Sequence, residues 1–148
     1  MLRRGERGLA LLAAVLALAF VDALLCALWL WSRAEAREAS ESLAASRAAW
    51  LAAAAESAAL AWLAAREAPL AADTALAPFA GGGADVGTAR IAVHGAGLAE
   101  LVVRGTATGS PGVRAERVRC RWLVRQAPDS AGVSRYLALG VGGAGGCP

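Results

Sequence analysis

The chain has 148 residues, with 15 basic side chains against 12 acidic ones, a single His and a formal net charge of +3. That length holds one small domain plus an anchor. The 40 Ala residues favour helix, because Ala loses no side-chain entropy there, and every basic residue is Arg. The absence of Asn excludes Asn-linked glycosylation, and the lone His94 excludes a multi-histidine metal site. Cys26, Cys120 and Cys147 form no CxxC and no zinc spacing.

The chain opens with Arg3, Arg4 and Arg7 around Glu6, then runs apolar from Leu9 to Trp31 with only Asp22 interrupting. As a helix that run spans roughly 34 Å, enough to cross a hydrocarbon core of about 30 Å with some tilt. The basic flank places the N-terminus in the cytoplasm, and Trp29 and Trp31 fall where an outer aromatic belt would lie. A cleaved secretory signal ending near Ala23 is the rival reading. It fits poorly, because the apolar run continues through Leu24, Leu25, Leu28 and Leu30. Lipid attachment at Cys26 needs a small preceding residue, and Leu25 stands there. Asp22 is either tolerated by its very apolar surroundings or faces a donor on a neighbouring helix.

No Gly or Pro occurs from Arg33 to Ala68, and Pro69 marks a stop, so one helix of about 60 residues is expected over Leu9–Ala68. Its second half carries Arg33, Arg37, Arg47 and Arg66 against Glu35, Glu38, Glu41, Glu56 and Glu67. Leu43, Trp50, Ala54, Ala58, Ala61, Trp62 and Ala65 form an apolar face at 3.6-residue spacing, interrupted by Arg47, with Leu60 and Leu63 opposite. Residues 69–85, with Pro69, Pro78 and Gly81-Gly82-Gly83, read as a connection.

Beyond it, residues 86–148 read as an antiparallel sheet of about four strands with a Gly-rich tail. The strands are Thr88–Val93, Leu98–Thr108, Val113–Val124 and Tyr136–Val141, with turns at Gly95/Gly97, at 109–112 and at 128–132. Val118, Cys120, Trp122 and Val124 alternate with Arg117, Arg119, Arg121 and Leu123, and the first set is expected to be the buried face. The expected class is α+β: a long N-terminal helix, its upper half (32–68) completing the core of a sheet too small to bury much alone.

This layout, together with Arg4-Gly5-Glu6-Arg7-Gly8 followed by Leu9-Ala10-Leu11-Leu12, resembles the type IV pilin superfamily. The stretches Arg33-Ala34-Glu35-Ala36-Arg37 and Ala53 to Leu60 are similar to minor pilins of the PilX type and to the N-terminal part of GspK-type pseudopilins of type II secretion. The resemblance implies a leader over residues 1–8, cleavage by a prepilin peptidase between Gly8 and Leu9, and methylation of the Leu9 amine. It also implies a transmembrane polymerisation segment over 9–31, other pilin subunits as partners, and single-pass placement in the cytoplasmic membrane or an assembled filament. Ala13 stands where major pilins carry Glu, and Leu9 replaces their commoner Phe; both point to a minor subunit. Many pilins tie down their C-terminal region with a disulfide. The resemblance thus supports a Cys120–Cys147 bridge in an oxidising compartment, the alternative being two free thiols.

Arg114, Arg117, Arg119, Arg121 and Arg125 crowd twelve positions around Trp122. They are a candidate DNA-contact face, or else a solvated sheet face that pairs with neighbouring subunits. His94 has no nucleophile motif near it, and Gly95-Ala96-Gly97 is too short for a phosphate loop. No catalytic residue, metal, cofactor or small-molecule substrate is expected. Two other readings stay open: a bitopic envelope protein whose sheet domain binds a partner without assembling into filaments, and a small secreted domain.

Overall fold

The computed structural model describes residues 4–66, 70–95, 97–110, 112–127 and 135–139, with side chains from Leu9 onward. The class is α+β, as expected: one helix, α1 (Arg4–Ala64), followed by an antiparallel sheet. The chain divides into two units, Met1–Ala39 and Ser40–Pro148. In the first unit every described side chain from Leu9 to Ala39 is exposed. The second holds the core.

The sheet has six strands, two more than expected: β1 (Thr74–Ala75), β2 (Phe79–Gly82), β3 (Asp85–Gly95), β4 (Leu98–Thr108), β5 (Arg114–Arg125) and β6 (Tyr136–Ala138). Their order is β1-β3-β4-β5-β6, with β2 also pairing along β3. β4 has the bounds read from the sequence. The two extra strands lie inside the stretch read as a connection, 69–85. They are short, and Pro78 and the glycines around them mask a strand signal. Both are held only by β3, through pairs such as Thr74↔Ile91 and Phe79↔Gly87. Asp73 fastens this edge: its carboxylate accepts the Val93 N–H at 2.9 Å and faces Arg90 Nη2 at 3.1 Å. At the far edge the Leu70 N–H donates to the Tyr136 hydroxyl at 3.2 Å.

The helix face that packs on the sheet differs from the one expected. Ala44, Ala48, Leu51, Ala52, Ala55, Ala59 and Leu63 are buried, while Leu43 and Trp50 are more than half exposed. The reason is room. A β-carbon at Gly105 would meet the Ala48 carbonyl oxygen and lie 2.6 Å from the Ala52 amide nitrogen; one at Gly87 would lie 2.8 Å from the Leu51 carbonyl oxygen. The helix backbone therefore rests almost directly on the middle strands. Only small side chains fit in that seam, and the bulky ones turn away from it. Where the seam opens, Ile91, Leu101, Val103 and Leu123 fill the space against Ala55, Ala59 and Leu63. Fully burying such an aliphatic side chain contributes about 1.5–3 kcal/mol.

The alternation on β5 is present with the opposite phase. Leu123 is fully buried and shares its face with Arg117, Arg119 and Arg121, whereas Val118 and Trp122 are 44% and 38% exposed on the outer face. Register explains it: Leu101↔Arg121 and Val103↔Arg119 are direct cross-strand partners, and Leu101 and Val103 face the helix. A second carboxylate missed in the sequence, Asp85, is buried at the start of β3, where it accepts the Thr108 N–H at 2.8 Å and faces the Thr108 hydroxyl at 3.1 Å.

Gly105→Ala should destabilise the protein by about 3 kcal/mol or more, because the obstacle is backbone at two points. Gly87→Ala, meeting one carbonyl, should cost less; chemical denaturation of the detergent-solubilised full chain reads the ranking. The Val93 amide first, and the Arg90 guanidinium second, hold the Asp73 carboxyl below its ordinary value of 3.8. A depressed pKa means that its contribution to stability is complete above that value and is lost as pH falls through the lower, folded one. Asp73→Asn should therefore flatten the acid side of a melting-temperature profile below about pH 4 while leaving its shape near neutrality unchanged.

Candidate functional site

Two surfaces carry the chemistry, and each belongs to one unit. The first is the N-terminal segment. The backbone of α1 runs without a break through Gly8 and Leu9, the expected cleavage point, and through Ala13. From Leu9 onward this helix is long and apolar enough to cross a membrane, and the apolar part is unburied. Leu9, Leu11, Leu12, Leu16, Leu18 and Phe20 are each more than 60% exposed. Asp22 stands within this surface and has no hydrogen-bond or ionic partner among the described residues. Cys26, one turn further on, is a free and exposed thiol.

The end of the apolar run is marked by a short polar collar. The Trp31 indole N–H donates to Glu35 Oε1 at 2.7 Å, and the Arg33 guanidinium lies 4.3 Å from the centre of the Trp29 ring. Both pairs are helical neighbours four residues apart, the spacing at which side chains on one face meet. An aromatic body with a polar tip suits a membrane–water boundary, so the collar falls where the aromatic belt was expected.

The second surface is the arginine strand, and the structure separates its members. Arg117, Arg119, Arg121 and Arg125 lie on the helix side of β5, and Arg114 lies on the outer side. Glu56, on α1, reaches between two of them. Its Oε1 pairs with Arg121 Nε, and its Oε2 lies 3.5 Å from Arg119 Nη1. The Glu56 side chain is 7% exposed, against 28% for Arg121 and 44% for Arg119. On the other face, Arg104 Nε holds Glu116 Oε1 at 3.1 Å. Two of the five arginines considered for DNA contact are thus committed to the chain's own helix. Arg114 and Arg117 have no ionic partner among the described residues. Glu56 was legible only as one charge among several; the signal lay in its place on the alanine stripe, one residue beyond Ala55.

Cys120 is disulfide-bonded, and Cys147, the partner expected for it, lies outside the described residues. His94 sits on the outer face, 3.4 Å from Glu100 Oε2, with its ring 5.4 Å from that of Trp122. The described residues contain no group of three or more His, Cys, Asp or Glu that could hold a metal ion. Comparison with family models, with curated proteins and with solved structures gives no match to this chain.

The two sides of the Glu56 cluster differ in access to water, and this sets an order of effects. Glu56→Ala leaves two arginines that can turn outward, and should cost about 1–2 kcal/mol. Replacing Arg119 and Arg121 together by Ser strands a buried carboxylate, and should cost about 3–5 kcal/mol. Denaturation midpoints of the three proteins test that order; equal losses would show that burial of Glu56 is not the controlling term.

Proposed function

We propose that this chain is a minor pilin or pseudopilin, a membrane-anchored subunit for assembly of a type IV pilus, a competence pilus or a type II secretion pseudopilus. The observation that carries the reading is the division of labour along α1. One stretch is apolar and entirely unburied, and the next packs through an alanine seam on an antiparallel sheet. A helix of the first kind is stable in lipid, and equally in a bundle of like helices that replaces the lipid. Moving between those surroundings exchanges one apolar contact for another at small cost. Repeated head-to-tail contacts that do not close then build a filament.

In this reading residues 1–8 are a leader removed by prepilin peptidase at Gly8–Leu9, the Leu9 amine is methylated, and the sheet domain faces away from the cytoplasm. Ala13 in place of an acidic residue suits an initiating or tip position, because the subunit has no carboxylate there to pair with a neighbour's terminal amine. The function is assembly, with no catalytic site and no cofactor.

The intact mass of the protein from its native membrane tests this. Loss of residues 1–8 with one added methyl group is the expected result. A full-length mass in cells with active prepilin peptidase would overturn it in favour of a bitopic envelope protein. A mature protein starting near Leu24 would indicate a secreted domain.

A further inference from the structure

Asp22 is the one charged side chain in the apolar run, and its depth follows from the collar. It lies nine positions before Trp31, about 13 Å along a helix axis, which is close to the middle of a hydrocarbon core of about 30 Å. Lys or Arg at that depth can extend toward the interface, but an Asp side chain is too short to do so. A carboxyl group left alone there costs about 2.5–3.5 kcal/mol. The described part of the chain contains one span and supplies Asp22 with no partner, so the partner is on another molecule.

We propose that this partner is Asp22 of a second copy of the chain, across a parallel, two-fold helix pair in the bilayer. Two copies inserted in the same orientation place Asp22 at the same depth without further design. Carboxyl groups are also self-complementary, because each acid offers one O–H and accepting oxygens. A two-fold contact needs only such a patch facing itself. The surroundings permit close approach: Ala19, Ala23 and Cys26 lie on the same side of the helix as Asp22, and small residues let helix backbones come together. The equal depth of the two copies also sets this pair apart from the staggered contacts of a filament. The inference rests on the membrane-spanning reading of Leu9–Trp31 and not on filament assembly.

Cys26 makes the pair measurable, since it lies four residues on, about 40° round the helix from Asp22. Oxidative cross-linking of the full chain in native membranes should give a dimer of this chain that disappears in Cys26→Ala. Asp22→Asn, whose amide also donates and accepts, should keep it. Asp22→Ala, which makes the span more apolar and so easier to insert, should lower the yield roughly tenfold, the effect of losing an interhelical hydrogen bond. A cysteine on the opposite side, Leu24→Cys combined with Cys26→Ala, should cross-link poorly. Equal yields for wild type and Asp22→Ala, no dimer at all, or Cys26 captured on a chain of different mass would each overturn the proposal. A membrane-impermeant maleimide separates the underlying reading: if it labels Cys26 in sealed membranes, the segment does not span, and both the span and the pair fall together.

Discussion

The close approach of the helix backbone to the middle of the sheet is the constraint on which the domain depends. Gly105 and Gly87 are adjacent across β3 and β4, and together they form a floor without side chains. Everything above that floor must be small, which explains why the buried helix positions are mostly alanines. It also explains why Trp50 is exposed, set against Phe79 with ring centres 6.0 Å apart. A domain with so few large apolar groups gains its stability from proximity: short side chains let many backbone atoms make dispersion contacts at once.

That proximity has an electrostatic consequence. A carboxylate on the packed face of the helix is brought against the sheet and has to be matched there. Glu56 is matched by Arg119 and Arg121, whose long stems cover apolar surface while their heads reach the carboxylate. Arginine suits both tasks, since its planar group binds a carboxylate from more than one nitrogen and is weakly hydrated for an ion. The basic strand is thus partly an internal structure of the subunit.

Much of the architecture is readable from residue order. The Gly-free, Pro-free stretch announces one helix, the turn residues bracket β4, and the period of two marks β5. What could not be read is direction. Rules of composition send Trp50 and Leu43 inward and Arg119 and Arg121 outward. The packing reverses both, because two glycines more than thirty positions away remove the room for large groups, and a helical carboxylate draws the arginines in. Such reversals depend on pairs distant in sequence, and a local pattern carries no record of them. The strands β1 and β2 escaped for a different reason: each is too short to show a period, and each exists only through pairing with β3.

The same distance in sequence has a meaning in time. Glu56 and Arg119 are separated by 63 residues. At about 5–20 residues per second of synthesis, the helix waits roughly 3–12 s for the strand that neutralises its carboxylate. The strands β3, β4 and β5 are neighbours in the chain and close among themselves as soon as they emerge. The alanine stripe has no such local partner. During that interval it is an uncovered, weakly apolar surface with a charge in its middle, which is a poor site for indiscriminate aggregation. A seam built from alanine and closed by an ion pair therefore protects the nascent chain better than one built from leucine, at the stage when its own sheet does not yet exist.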